Sequence, residues 1–376
     1  MKMVLITDLV SEVDSTIDRD TENTLRWLCD WMRYSERNTV IGTSETCSRL
    51  VELSGEARAD GFLVKILPIS DGKSFFHEIT RPFQNLILAL RFLLAARKCD
   101  RLVIHHSGGW SAVALFLLPF FSTAAKTVIY DRNWGAGKRR SRSERLLRQL
   151  LRWKFFTKKL QILIYNEPSS NQASFRSIVQ PLYDRSPGEE ISPRIFSQGI
   201  KILHTGGLNP KFQPLLACKL IRRLVAEGHD VQLHFYCGEN ESETESVVDF
   251  IKKNKLQDRI YLHSKQKNVE FSQIYSEAHF FLYLARDAAW PISMARAMSW
   301  GCLPVATPVG CIPELVGDEL ERGILTIPDP AVMASNLKGV LNNEALYAEK
   351  VRAAILYSEN FSPVKGRREI QQILSI

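Results

Sequence analysis

Trp290-Pro291-Ile292-Ser293-Met294-Ala295-Arg296-Ala297-Met298-Ser299-Trp300-Gly301-Cys302-Leu303-Pro304-Val305-Ala306-Thr307-Pro308-Val309-Gly310 is the stretch on which the fold turns. Trp-Pro suits entry into a helix, because a proline in the first helical turn gives up an N–H that has no helical acceptor anyway. Gly301 suits the residue just past the helix end. Leu303 to Ala306 is a short apolar strand, and Pro308 to Gly310 a turn. A helix that opens on a loop is a ready anion site, since its first N–H groups and its dipole face the ligand. Pro291 has no N–H, so the candidate donors are the amides of Ile292 and Ser293.

Outward from this block, short apolar strands alternate with helical periodicity, the pattern of a parallel sheet covered on both faces. Strands are expected at 3–7, 39–41, 62–67, 101–105, 126–130 and 162–165, with helices at 21–34 and 82–97. A second series starts at Lys201, with strands at 201–204, 231–236, 259–262 and 279–284. A chain of 376 residues exceeds the size at which one core keeps growing, so two domains are expected. The reading places an N-terminal Rossmann-like domain at 1–185, a linker at 186–200 and a C-terminal Rossmann-like domain at 201–355. A last helix at 356–376 would cross back to the first domain. Ligands in such sheets bind beyond the carboxyl ends of the strands.

The order Trp290-Pro291 … Ala297-Met298 … Gly301-Cys302-Leu303-Pro304-Val305 resembles the nucleotide-sugar half of the retaining GT-B glycosyltransferases, glycosyl transferases group 1. In that family a Glu-Gly-Phe/Trp-Gly/Pro … Glu-Ala-Met … Gly-x-Pro-Val block holds the sugar donor. The resemblance is close over residues 200–330 and only architectural before them. It implies an α/β, GT-B chain, two doubly wound Rossmann-like domains facing a cleft. It also implies transfer of a sugar from a nucleotide diphosphate with retention, without a metal or further cofactor.

The same alignment puts Ala288 and Arg296 where the family has its two glutamates. Alanine makes no hydrogen bond there, and arginine donates but cannot accept. Asp287, one residue away, is the stand-in for the first. Arg296 is a fork suited to a diphosphate or an acidic sugar. After strand 201–204 comes Gly206-Gly207-Leu208-Asn209-Pro210-Lys211, where glycines let a backbone approach phosphate. The family's clamping arginine and lysine fall on Gly207 and Phe212, with Lys211 displaced by one. The loop Asp8 to Thr16 lacks the Gly-Gly pair usual in relatives. The expected donor set is thus Gly206, Gly207, Lys211, Asp287, Trp290, Pro291, Ile292, Ser293 and Arg296. Four departures at one ligand leave a second reading open: a degenerate GT-B subunit that scaffolds or regulates an active partner glycosyltransferase.

In the N-terminal domain His105-His106-Ser107-Gly108-Gly109-Trp110 and Tyr130-Asp131-Arg132 each follow an apolar strand. His106 and Asp131 are the catalytic candidates, the family placing a His or Asp near the second position. Seven cysteines, odd in number and without metal-ligand spacing, read as reduced thiols, and no metal site is expected. The longest apolar run, Ala112 to Phe121, is about half of a bilayer span.

The chain carries +8, yet Lys138 to Lys159 alone holds ten Lys/Arg against one acid, Glu144. Leu146, Leu147, Leu150, Leu151, Trp153, Phe155 and Phe156 give that segment an apolar face. A basic amphipathic segment with an aromatic reads as a binder of anionic lipid. Leucines serve no purpose on nucleic acid phosphate, so nucleic acid is not an expected partner. The expected setting is cytoplasmic, peripheral on the inner face of the membrane, with a lipid-linked or glycan acceptor.

Overall fold

The computed structural model describes residues 1–7, 19–42, 44–55, 62–66, 90, 92–94, 99–106, 111–120, 124–131, 142–153, 159–165, 174–184, 190–196, 199–237, 243–264, 271–288 and 290–375. The loop 8–16, most of the helix expected at 82–97, Ser107 to Trp110 and the ends of the basic segment lie outside them. The chain divides into two compact units, Met1–Pro181 with Val364–Ile376, and Leu182–Pro363.

The first unit is built on seven parallel strands: β1 (Lys2–Thr7), β2 (Arg37–Gly42), β3 (Phe62–Ile66), β4 (Arg101–His106), β5 (Ala125–Tyr130), β6 (Leu160–Ile164) and β7 (Phe175–Ser177). Their order is β3-β2-β1-β4-β5-β6-β7, so the winding reverses between β1 and β4. Val, Ile and Leu dominate the central strands because helices cover both faces. On one face Phe92, Ala114, Leu115, Leu118, Leu147 and Leu151 pack against Val4, Ile6, Leu102, Ile104 and Val128. The short edge strand β7 had no period-two signal of its own.

The second unit has six parallel strands: β8 (Ile200–His204), β9 (Val231–Cys237), β10 (Ile260–Ser264), β11 (Phe280–Tyr283), β12 (Leu303–Ala306) and β13 (Ile324–Leu325). The order β10-β9-β8-β11-β12-β13 reverses between β8 and β11. Its core runs from Ile202, Leu233 and Phe280 on the strands to Leu220, Leu224 and Leu337 on the covering helices.

The C-terminal helix begins at Pro363 rather than near 356, after the helix Glu344–Ser358 and a single 3-10 turn. A proline ends the preceding element and opens the next. This last helix belongs to the first unit: Gly366 sits against Pro181, and Arg367 lies 3.5 Å from Asp30.

Residues 190–196, expected as part of a free linker, are held by Arg194. Its guanidinium donates to the carbonyls of Ser276, Tyr275, Trp300 and Gly301 at 2.5–3.1 Å. These carbonyls lie at the carboxyl ends of the helices Phe271–Glu277 and Ile292–Ser299. A cation there meets orphan acceptors and the negative end of each dipole.

Candidate functional site

In the second unit the loops after β8 and β11 flank the point where the strand order reverses. Doubly wound sheets take their ligands at such a point. The two loops are tied together. The Arg286 amide donates to the Lys211 carbonyl at 3.1 Å, and the Gln213 side-chain amide to the Leu284 carbonyl at 2.8 Å. Thr307, just past β12, donates to the Ala285 carbonyl at 2.6 Å and fixes the third strand end.

The glycine pair is structured by an aromatic ring. Gly206 lies so close to Phe212 that a Cβ would stand 2.5 Å from the ring's Cγ. Gly207 takes a φ of 66°, which glycine adopts without strain. Phe212 also meets Tyr283 edge-on, with centroids 5.7 Å apart, and its carbonyl accepts from His204 Nε2 at 3.3 Å. Burial drives the His204 pKa down to about 4, so it is a neutral donor. Lys211 is exposed, and its ammonium stands 5.6 Å above the Phe212 ring. Asn209 caps this turn by accepting from the Lys211 amide at 2.9 Å.

Across the reversal point, Asp287 is exposed, Ala288 is buried, and Trp290 packs edge-on against Phe361 at 5.3 Å. Pro291 is not in the first helical turn as expected. It caps the helix Ile292–Ser299 with φ −83° and ψ 72°, an inverse γ-turn in which the Ile292 amide donates to the Trp290 carbonyl at 3.0 Å. Ile292 is thereby removed from the expected set of free donors. Ser293 and Met294 remain ahead of the first i→i−4 bond, from Ala295 to Pro291.

Arg296 departs further from expectation. It is 2% exposed, and its Nε donates to the Asp184 carboxylate. Its charge is answered inside its own unit by a residue 112 positions away. The sequence could not have named Asp184, which sits where no periodic element was visible.

The first unit gathers a second group at its own reversal point. His105 at the end of β4 is wholly buried, with Nδ1 3.2 Å from the Thr7 hydroxyl at the end of β1. Its Nε2 stands 3.6 Å from Asp131, just past β5. Desolvation takes its pKa down to about 4, which keeps it neutral. His106, the histidine expected beside Asp131, points to the opposite face of the sheet. There its Nδ1 lies 2.6 Å from the Ser111 hydroxyl, and its ring packs 5.3 Å from Tyr130. Strand alternation explains the exchange: two tandem histidines cannot face the same side. Of the two histidines it is His105, not the candidate His106, that lies beside the candidate Asp131.

Among the described residues no group of three or more His, Cys, Asp or Glu is arranged to hold a metal ion. None of their helices is long and apolar enough to cross a membrane.

Residues 199–343 match the family described as glycosyl transferases group 1. No curated protein matches the sequence. Among solved structures the chain is similar to HepE of Anabaena in complex with UDP, with TM-score 0.72 at 13% identity over 100% of both chains. It is similar to sucrose-phosphate synthase from Thermosynechococcus elongatus, with TM-score 0.71 at 12% identity over 100% of this chain and 98% of that one. The lipopolysaccharide outer core galactosyltransferase WaaB gives TM-score 0.67 at 13% identity, over 100% of this chain and 99% of that one. The fold is GT-B, and residues 199–343 match the model of glycosyl transferases group 1.

Proposed function

We propose that this protein is a retaining glycosyltransferase that moves a sugar from a nucleotide diphosphate to a lipid-linked or glycan acceptor in bacterial surface polysaccharide synthesis. One observation carries the reading. The two linked loops at the strand reversal of the second unit lie in the segment matching glycosyl transferases group 1. The complex of the Anabaena relative with UDP and the galactosyltransferase relative of lipopolysaccharide synthesis support the donor class and the setting.

In such a transfer the protein contributes positioning and stabilisation of the departing diphosphate. Lys211 supplies a mobile cation beside the glycine turn, and the Ser293 amide a donor at the helix start. Asp287 is the acceptor nearest the missing glutamate. In the other unit Asp131, held beside neutral His105, is the carboxylate for the sugar or acceptor. The basic segment 138–159 keeps the protein on the inner face of an anionic membrane.

Thermal shift against UDP, GDP and ADP is the test. Binding stabilises by RT ln(1 + [L]/Kd), so at a hundred times Kd the gain is about 2.7 kcal/mol. That corresponds to an upward shift of roughly 5–10 °C for a unit of this size. The absence of any shift at millimolar nucleotide would sink the donor-binding reading.

A scaffold role is the second reading, and Arg296 favours it: the residue at a family glutamate is committed to Asp184. A scaffold would bind no nucleotide and would co-purify with an active glycosyltransferase.

A further inference from the structure

Thr7 closes β1, and the parallel register sets His105 of β4 directly across from it. Residues paired in this way point to the same side of the sheet. The Thr7 hydroxyl therefore meets His105 Nδ1, at 3.2 Å, with both side chains wholly buried. The other ring nitrogen, Nε2, has no hydrogen-bond partner and stands 3.6 Å from Asp131 Oδ2. The Asp131 amide donates to the His106 carbonyl at 2.9 Å, which ties the backbone beyond β5 to the same strand end. Asp131 keeps a side-chain exposure of 27%, so its carboxylate borders solvent while the ring behind it does not.

These contacts select one tautomer. A neutral imidazole carries one N–H and one lone pair. Burial pushes the His105 pKa down to about 4, so the ring is neutral at physiological pH. With the proton on Nδ1, the Nε2 lone pair would face an ionised carboxylate and repel it. With the proton on Nε2, the N–H points at Asp131 and Nδ1 accepts from the Thr7 hydroxyl. Only the second arrangement gives both neighbours a matching group.

We infer that Thr7 is a positioning residue for Asp131: its hydroxyl fixes His105 in the Nε2–H form, and His105 in turn anchors the carboxylate that receives a sugar or acceptor hydroxyl. The inference rests on the role given to Asp131 above and deepens it. At 3.6 Å the ring and the carboxylate are just beyond hydrogen-bond distance, and contacts of this kind tighten when substrate binds.

Nitrogen-15 NMR of the histidine rings in the full chain reads the tautomer, with the His105 signals identified by their loss in His105→Gln. The same proteins are assayed for UDP release from UDP-glucose. Thr7→Val keeps the shape of the side chain and removes its hydroxyl, whereas Thr7→Ser keeps the hydroxyl. Thr127→Val is the control: Thr127 is wholly buried on the same side of β5, and its hydroxyl has no partner. The expected result is an Nε2–H ring in the parent, in Thr7→Ser and in Thr127→Val, and a mixture of tautomers in Thr7→Val. Thr7→Val should lose about tenfold in kcat, on the order of one hydrogen bond, with KM for UDP-glucose within about twofold. Thr7→Ser should restore the rate.

A parent ring with its proton on Nδ1, or a Thr7→Val ring that keeps the parent tautomer, would overturn the inference. An equal loss of kcat in Thr127→Val would do the same, by marking the effect as one of packing. A parent that releases no UDP while its spectra show the expected tautomers would sink the transferase reading alone and leave the Thr7–His105–Asp131 arrangement in place.

Discussion

Removing the carboxylate of Asp184 should unfold the second unit more readily while leaving its nucleotide affinity untouched. Arg296 is 2% exposed and Asp184 lies beside it, in the stretch before the 190–196 strap. Replacing Asp184 with alanine leaves a buried guanidinium without its carboxylate. Breaking a buried pair in this way costs about 3–5 kcal/mol. Asp184 keeps a side-chain exposure of 20%, so water can enter and the lower end, about 3 kcal/mol, is expected. For a unit of about 180 residues each kcal/mol lowers the melting temperature by about 2–4 °C, giving a drop of roughly 6–12 °C.

Arg296→Met keeps the apolar stem and removes the charge. The pair Asp184→Ala/Arg296→Met should then recover most of the loss, with a coupling of about 2 kcal/mol in the double-mutant cycle. Urea denaturation followed by circular dichroism reads the stability. A UDP titration on the same four proteins reads the site. Arg296→Met that weakens UDP tenfold with stability unchanged would show the guanidinium to be a donor ligand after all, and refute the structural assignment.

Gly206→Ala is expected to cost about 1–3 kcal/mol, because its Cβ would overlap the Phe212 ring; adding Phe212→Leu should restore most of that, and a neutral Gly206→Ala in urea denaturation would contradict the packing. Arg194→Ala removes a charged donor from four carbonyls at the ends of two helices, of which Tyr275 keeps the Cys302 thiol, and should lower stability by about 2–3 kcal/mol in the same assay. His105 and His204 have pKa values near 4 in the folded chain against 6.5 for the free side chain. Between those values the unfolded chain binds more protons, so stability must rise with pH from about 4 to 6.5, by roughly 3 kcal/mol per histidine. Denaturation midpoints should follow that rise, to which half-buried His234 adds, and His204→Gln should make it shallower; a flat profile would exclude these neutral imidazoles. Reversing Arg139, Arg140, Arg142 and Arg145 to Glu should abolish salt-sensitive binding to anionic vesicles, each basic group near the surface being worth about 1 kcal/mol. Equal binding of parent and variant would remove the electrostatic contribution.

The fold was legible because its signals are local. The Leu303 to Ala306 run, Gly301 after the helix and Pro291 before it each act within a few residues of where they stand, and β12 and its helix fall where those residues put them. The reversals of strand order follow from crossovers that a βα alternation forces. The site was less legible because its decisive contacts are long-range. No spacing rule links Arg296 to Asp184, or Thr7 to His105 across 98 positions. Sequence marks that a strand ends at His105-His106 but leaves open which of the two tandem residues faces which layer. Tyr130, the neighbour of His106, belongs to the core face, and register alone then turns His105 toward Thr7.

Phe212 shows the same limit from the other side. Aligned with a family lysine it looked like a loss. In the folded chain it fills the space that Gly206 opens and places Lys211 above its ring. Lys211, one residue before the aligned position, stands at the strand reversal, held by the Asn209 cap and the Arg286–Lys211 backbone bond. Ala288 and Arg296 have no such replacement: one is small and buried, the other is engaged with an acid. Under the proposed function, Lys211 and the Ser293 amide are the groups left to serve a donor phosphate. Among the described residues of the loop after β11, Asp287 is the carboxylate, and it is exposed. A protein so arranged should hold a nucleoside diphosphate more securely than it discriminates among sugars. Comparing UDP with UDP-glucose in the same titration measures this directly: a tenfold gain from the glucose would show that sugar contacts survive beyond Asp287.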